Sequence, residues 1–394
     1  MRNRGNNRSG LTLVELLVVV GIVILITAVA LPIIKPALKD RKIREASRQL
    51  NSFISLARAA AQEKGHEAGI YLERSAINPN ACFDVYMAES PYPYSGDTIE
   101  FSFASVISPS TNSVGTTRFS VDPAVNAQFQ LAVDGNPLAQ VALGDEIKFD
   151  FKGPRYIIRA LYDSDPNDIT NPIVVQISHP EAKWADTAGT PNDPLDDTLA
   201  YSPVTPIPGS YRYQVFRQPM KSSVKAMTLP NNIAIDLNFS GLGLPVPDSS
   251  TALISGRQFR TTIPGDRRPV RIMFSPQGNL SKVTFINPGS NTNQSFNPSG
   301  TVYLLVGRIE QIRDIDNIPA VPYSSTNTTA VQLTRNIVDN ANQWITIGHR
   351  TGQINTAPNG WPVPPEDLTP TKYFVDLMAA AREFAQTGES VGGQ

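Results

Sequence analysis

The chain has 394 residues, and its 34 lysines and arginines nearly balance 35 aspartates and glutamates, which gives a net charge of −1. This length is enough for two or three domains, and the lack of a strongly basic balance argues against nucleic acid as a partner. Charged residues make up only 18% of the chain, whereas 33 prolines and 26 glycines are present, a profile typical of a turn-rich β protein. The single cysteine, Cys82, permits no intramolecular disulfide, and its alternating apolar surroundings predict that it is buried.

The N-terminus combines a basic segment with a long apolar one. Residues 1–10 contain three arginines and no acid, and residues 11–31 contain no charged side chain except Glu15. At about 1.5 Å per residue, a helix over 11–31 is about 30 Å long, the thickness of a bilayer's hydrocarbon core. The pattern predicts a transmembrane segment at 11–31, with residues 1–10 left in the cytoplasm by the positive-inside rule.

The segment from Gly10 to Val19, Gly-Leu-Thr-Leu-Val-Glu-Leu-Leu-Val-Val, resembles the class III signal of type IV pilins and type II secretion pseudopilins. The resemblance implies that residues 1–10 are a prepilin leader, that cleavage follows Gly10, and that the new N-terminal residue, Leu11, is methylated. It also implies that Glu15 pairs with the terminal amine of a neighbouring subunit. Most members of the family carry Phe at the position of Leu11.

The same resemblance implies partners and a location. The partners are a prepilin peptidase, other pilin or pseudopilin subunits, an inner-membrane assembly platform and the lipid bilayer. The location is the bacterial inner membrane, crossed once, with the leader in the cytoplasm and the head in the periplasm, and later the pseudopilus or filament.

Two alternatives remain for the apolar segment. It resembles a plain signal anchor, and it also fits a Sec signal peptide in which Ala28-Val29-Ala30 is the cleavage site. The second alternative predicts a secreted protein that begins at Leu31. Glu15 within the apolar run and the helical pattern beyond it argue for the pilin-like interpretation.

Residues 32–65 carry an amphipathic helical pattern. Pro32 and Pro36 predict bending near the end of the apolar run, and Gly65 is a candidate C-terminal cap. Apolar residues recur with helical spacing and predict one buried stripe, formed by Ile43, Ala46, Leu50, Ile54, Ala57 and Ala61.

Strand patterns follow the helix. Residues 66–89 are predicted to supply the first strands of a head, and residues 90–185 a β-module inserted into it, with strands that include 128–133. A Gly-Asp turn and two alternating runs predict a hairpin over 142–161. Residues 186–209 are rich in proline and acid and predict an exposed loop.

The second half of the chain shows a weaker resemblance, to the β head of GspH/FimT-type minor pseudopilins. It is carried by residues 228–237, by Ile272–Gly278, and by Trp344–Ile347 followed by Thr351-Gly352, and it implies a β head over 210–370. One helix is predicted at 371–386, and the tail, 387–394, is predicted to be disordered.

One cluster has the spacing of a metal loop. Asp163, Asp165 and Asn167 stand at the first, third and fifth positions of a calcium-type loop. The sixth position lacks Gly, and Val174 stands where a bidentate Glu is expected, so a solvated turn is the alternative. No cofactor other than calcium is indicated.

The remaining motifs do not indicate catalysis or metal binding. The three histidines, His66, His179 and His349, lack metal-ligand spacing. Ser222 and Lys225 match Ser-x-x-Lys, but a strand pattern follows them instead of the helix that this motif needs. The sequence therefore predicts no catalytic residue and a protein that is not an enzyme.

Together these features predict an α+β fold: a long N-terminal helix, half of it transmembrane, packed on an enlarged antiparallel β-sheet head. The predicted function is that of a prepilin-type pseudopilin, a minor subunit of a type II secretion pseudopilus or pilus-like filament, assembled through its N-terminal helix. The alternative is a tethered binding module that recognises a secreted substrate or glycan through its head. Tyr92, Tyr94 and Trp361, in Pro- and Gly-containing segments, are candidates for an exposed aromatic surface.

Overall fold

The computed structural model describes residues 13–98, 104–107, 117–136, 138–153, 155–163, 173–178, 183–185, 198–201, 210–243, 257–287, 292–312, 335–360, 378–379 and 381–386. Helix α1 spans Leu13–Lys64, and a short helix, α2, spans Ala127–Val133. Three 3-10 turns span Pro123–Val125, Ile309–Gln311 and Asn336–Val338. Residues 378–379 and 381–386 are also helical.

The strands, in chain order, are β1 (Ala68–Arg74), β2 (Ala81–Glu89), β3 (Ala104–Ile107), β4 (Thr117–Val121), β5 (Glu146–Phe149), β6 (Tyr156–Asp163), β7 (Ile173–Ser178), β8 (Lys183–Ala185), β9 (Thr198–Tyr201), β10 (Ser210–Tyr211), β11 (Tyr213–Phe216), β12 (Met220–Lys221), β13 (Met227–Thr228), β14 (Ile233–Leu242), β15 (Val270–Phe274), β16 (Leu280–Asn287), β17 (Thr292–Phe296), β18 (Val302–Arg308), β19 (Gln343–Ile347) and β20 (Ile354–Pro358).

The large sheet has the order β17-β16-β15-β1-β2-β14-β18-β19-β20, and the short strands β12 and β13 also pair with β2. Its neighbouring strands are antiparallel. The small sheet has the order β10-β3-β4-β7-β6-β5-β11 and is likewise antiparallel. Strands β8 and β9 form a separate two-stranded ribbon.

The second half of α1 packs on the large sheet. The predicted apolar stripe is confirmed, because all six of its residues, from Ile43 to Ala61, are fully buried in one cluster with residues of the sheet. Arg58 adds polar ties: its Nε donates to the carbonyl of Gly278 at 2.8 Å and one terminal nitrogen donates to the carbonyl of Thr351 at 2.8 Å. The helix ends as predicted at Gly65, which has φ 66°.

The small sheet has its own core. Buried side chains such as Phe119, Ile147 and Val175 form a cluster separate from that of the large sheet. Phe129 of α2 belongs to this cluster and is fully buried. Each sheet therefore excludes water from its own set of apolar side chains.

The predicted fold class is wrong. The described chain is mostly β structure, and its strands form two antiparallel sheets in place of one enlarged head sheet. The physical reason is local pairing: β3 to β7 pair with one another and with β10 and β11, and they bury a core of their own. Residues 210–216, which the sequence placed in the head, lie in the small sheet.

The predicted transmembrane anchor is also wrong. No helix among the described residues is long and apolar enough to cross a membrane. This finding contradicts the single-pass segment at 11–31 and the inner-membrane location derived from it.

A smaller correction concerns residues 128–133, which were predicted as a strand and lie in α2. The alternation Gln-Phe-Gln-Leu suggested a strand, but a segment of this length cannot distinguish the two periodicities. Phe129 is the buried side chain of the helix. By contrast, the hairpin predicted over 142–161 corresponds to β5 and β6, which pair antiparallel, and Cys82 is fully buried as predicted.

The packing of α1 predicts unequal effects for two leucines of the same helix. Leu50 is fully buried, whereas Leu56 is 56% exposed. Leu50→Ala should lower the free energy of unfolding by about 2–5 kcal/mol because it removes buried methyl groups and leaves a cavity. Leu56→Ala, the matched control, should change it by less than about 0.5 kcal/mol. Urea unfolding followed by circular dichroism measures both, and equal effects would contradict the packing.

Candidate functional site

The first half of α1 presents an exposed apolar surface. All side chains from Leu13 to Thr27 are exposed. Twelve large apolar side chains are between 49% and 78% exposed: Leu13, Val14, Leu16, Leu17, Val18, Val19, Val20, Ile22, Val23, Ile24, Leu25 and Ile26. They cover every side of the helix, because they occupy nearly every position. An apolar surface of this extent marks a site of interaction.

The predicted processing site immediately precedes α1 in the sequence. Gly10 and Leu11 lie outside the described residues, and α1 begins two residues after Leu11. Glu15 is the acidic residue in the first turn of α1 and is exposed. An acid in this position interacts favourably with the positive end of the helix dipole.

Most of the predicted calcium loop lies outside the described residues. Asp163 ends β6, whereas Asp165 and Asn167 lie outside the described residues. Within the part of the chain that the structure describes, no group of His, Cys, Asp and Glu side chains could hold a metal ion. His66 lies just after α1 and His349 just after β19, while His179 is not described.

The Ser-x-x-Lys match lies in a turn between β12 and β13, as its strand context predicted. Ser222 Oγ donates to Glu89 Oε1 at 2.9 Å. This hydroxyl therefore bonds a carboxylate in a turn and does not stand at the start of a helix, which is the context the acylation motif needs.

A pocket of about 270 Å³ lies where the two sheets meet, and we call it the junction pocket. The chain passes between the sheets twice beside it. It leaves the large sheet after Glu89, which we call the outgoing passage, and returns between Phe216 and Met220, which we call the return passage. The two passages run side by side, because Tyr94 and Val215 exchange backbone hydrogen bonds of 2.9 and 2.7 Å.

Gln218, on the return passage, forms hydrogen bonds with segments of both sheets. Its backbone N–H donates to Asp145 Oδ1 at 2.9 Å, and its side-chain amide donates to the carbonyl of Leu143 at 2.8 Å. Its side-chain oxygen accepts from Arg271 of the large sheet at 2.9 Å. Gly144 has φ 89°, a conformation that favours glycine, and a Cβ there would displace the Gln218 amide nitrogen, which would lie 2.7 Å from it.

Burial sets the protonation behaviour of Asp145. Its carboxylate is 2% exposed, and desolvation raises its pKa to about 6. The backbone N–H groups of Gln218 and Ala142 donate to its two oxygens and oppose that rise. The carboxylate thus ties the β5 turn to the return passage.

One wall of the junction pocket is charged. Glu146 Oε2 lies 2.7 Å from Lys282 Nζ and 3.2 Å from an Arg155 nitrogen, so two cations share one carboxylate. Glu146 and Arg155 come from the small-sheet segment, whereas Lys282 comes from β16 of the large sheet. The Arg155 guanidinium also lies 3.7 Å from the centre of the Phe216 ring. This triad joins the two sheets across the pocket.

Apolar and aromatic side chains also line the pocket. Pro91, Tyr92 and Pro93 line it on the outgoing passage. The Tyr92 side chain is 85% exposed, and its ring centre lies 6.3 Å from that of His66. Of the predicted aromatic surface, Tyr92 lines the pocket, Tyr94 is buried in the small-sheet core, and Trp361 lies outside the described residues.

The charged residues of the pocket were not predicted. Glu146, Arg155 and Lys282 are far apart in sequence, and each looks like an ordinary surface residue of a strand or turn. No spacing could have found them, because the packing of the two sheets brings them together.

No family model matches the chain, and neither a curated protein nor a solved structure gives a significant match. The functional interpretation therefore rests on this chain's own residues and their geometry.

The junction predicts a pH effect that depends on Asp145. An unfolded aspartate has a pKa of about 3.9, so the folded state holds the proton more tightly, and this residue's contribution to stability falls as the pH rises from about 4 to about 6. Asp145→Asn removes this pH-dependent loss of stability, because asparagine does not titrate. It also replaces one hydrogen-bond acceptor and therefore lowers stability at every pH. The variant's stability deficit relative to the native chain should therefore shrink by about 2 kcal/mol between pH 4 and pH 7.

Urea unfolding at the two pH values measures this change. Asp134→Asn is the control, because Asp134 is an exposed carboxylate next to α2. A deficit for Asp145→Asn that stays constant over this range would contradict the effect of burial.

Proposed function

We propose that the chain is a prepilin-type pseudopilin, a subunit of a secretion pseudopilus or pilus-like filament, that assembles through α1. The observation that carries the proposal is that the pilin-like sequence at 10–19 continues into the exposed apolar half of α1. Its partners would be a prepilin peptidase and other subunits with the same kind of helix.

The division of α1 into two halves supports this role. The second half is fixed to the large sheet by its buried stripe, and the first half extends from this packed part with apolar side chains exposed on all sides. Copies of such a helix can bury their apolar surface against one another, at about 25 cal/mol per Å² of apolar area. The folded head then occupies the outside of the assembly.

Glu15 would set the register of neighbouring subunits. In the proposed filament its carboxylate lies among apolar side chains of α1 copies, where an unpaired charge is costly. The free amine of Leu11, created by cleavage after Gly10, is the group that would pair with it. Only processed subunits present this amine, so processing would precede assembly.

N-terminal processing is the first prediction. In cells that make the cognate peptidase, the intact mass and N-terminal sequence of the recovered protein should show a start at N-methylated Leu11. Gly10→Leu should abolish this cleavage, because the resemblance implies a peptidase that needs a small residue before the scissile bond. A start at Leu31 would instead identify a Sec signal peptide and overturn the proposal.

Incorporation into the filament is the second prediction. Glu15→Val should be processed normally but should lower the amount of subunit in sheared filaments at least tenfold, because the neighbour's amine loses its partner. Glu45→Gln is the matched control, since Glu45 is an exposed carboxylate on the second half of α1. Normal incorporation of Glu15→Val, measured by immunoblot of the filament fraction, would contradict the assembly mechanism.

A further inference from the structure

We propose that the junction pocket binds a carboxylate carried on a six-membered ring. This inference goes beyond filament assembly, because it concerns the head and needs neither the peptidase nor other subunits. It rests on three features: the size of the pocket, two cations that share one carboxylate, and an exposed aromatic ring in the lining of the same pocket.

The size of the pocket suits a small ligand. Its volume of about 270 Å³ is close to the lower end of the range for small-molecule sites, about 300–1,000 Å³. A single sugar or aromatic ring with one substituent fits such a space. The position also suits a ligand, because binding sites occur preferentially between structural units that a chain brings together.

The charged wall favours an anion. Lys282, Arg155 and Arg217 contribute three positive charges to the lining of the pocket. Glu146 and Glu67 offset two of them, which leaves one positive charge in excess. The Arg155 side chain is 42% exposed, so its pairing with Glu146 contributes at most about 1 kcal/mol and is readily exchanged. A ligand carboxylate placed beside Glu146 would complete the pairing of both cations.

The same wall also explains why a carboxylate is favoured over a more highly charged group. Glu146 lies within 3.2 Å of both cations, and it would repel a dianion more strongly than a monoanion. Arg155 offers a planar fork of donors, a geometry that matches the two oxygens of a carboxylate.

The aromatic wall favours a ring. The Tyr92 side chain is 85% exposed, between two prolines, and faces the same pocket as the cations. The flat face of a sugar or aromatic ring can stack on such a side chain, and contacts of this type are worth about 0.5–1.5 kcal/mol between aromatic rings. Phe216 is already covered by Arg155 at 3.7 Å, so Tyr92 is the ring available for stacking.

Ligand-observed saturation-transfer NMR on the full chain tests the proposal. The probes are D-glucuronate and benzoate, which carry the carboxylate on a sugar ring and on an aromatic ring, and the neutral probes are D-glucose and benzyl alcohol. At least one carboxylate probe should bind with a dissociation constant of about 1–5 mM, and its neutral counterpart should bind at least fivefold more weakly. The carboxylate probe that binds more tightly shows whether the pocket prefers a sugar ring or an aromatic ring.

Matched variants locate the binding. Lys282→Met removes one pocket cation and should weaken carboxylate binding at least fivefold. Lys221→Met is the control: Lys221 pairs with Glu73 at 2.7 Å, the same separation as in the Lys282–Glu146 pair, but outside the pocket. Tyr92→Ala changes an exposed side chain and should leave thermal unfolding unchanged while weakening binding at least fivefold.

Three results would overturn the proposal. The first is that neither carboxylate probe binds below about 10 mM to a chain that unfolds cooperatively. The second is equal binding of a carboxylate probe and its neutral counterpart. The third is a variant pattern that places binding outside the pocket, in which Lys221→Met weakens binding as much as Lys282→Met does or Tyr92→Ala leaves binding unchanged.

Discussion

The burial of one stripe of α1 against the large sheet is the interaction on which the rest of the structure depends. The stripe is composed of small and branched residues, three alanines among them, so the helix can approach the strands closely. Its partners are side chains on one face of the central strands, such as Ile70, Ile235 and Leu304. Without this helix, that face of the sheet would be exposed to water, at a cost of about 25 cal/mol for each Å² of apolar area.

The opposite face of the large sheet is covered by a different element. Met378, Ala381 and Ala385 of the C-terminal helical residues join Leu305 and Trp344 in a second cluster. Strand β18 alternates between the two clusters, since Leu304 belongs to one and Leu305 to the other. Cover on both faces explains why every residue of β14 is buried, a pattern that antiparallel sheets with one solvated face do not show.

Two buried arginines stabilise the loops around this sheet through hydrogen bonds to backbone carbonyls. Arg74 donates to the carbonyls of Pro79, Phe259 and Arg268, each at 2.7 Å. Arg382 donates to the carbonyls of Phe239 and Leu242 and lies 4.7 Å from the centre of the Tyr303 ring. Desolvation lowers the pKa of both guanidinium groups to about 10, so both remain charged at neutral pH. Carbonyl dipoles supply the compensation that a buried charge requires.

The sequence predicted the elements whose signal is local. The stripe from Ile43 to Ala61 follows from helical spacing alone, and Gly65 follows from the need for positive φ at the end of the helix. The strand patterns predicted an inserted β-module over 90–185, but they did not show which other strands complete its sheet, because that depends on which strands pair. Strand β11 looks like any other alternating run, yet it pairs with β5 more than sixty residues earlier. The junction pocket was missed for the same reason.

The pairing of β2 with β12 explains how the chain carries a second sheet without disturbing the first. Met220 lies opposite Glu89 in this pair, so the approximately 130 residues between them form a closed loop on the large sheet. Each doubling of the length of such a loop costs only about 0.6 kcal/mol in closure entropy. The inserted segment between β2 and β12 offsets the entropy cost of its own ordering by burying a separate core. The large sheet needs only the short β2–β12 ladder to tolerate the insert. At the junction where the inserted segment departs, residues of both sheets face each other, and Glu146 and Lys282 form an ion pair there.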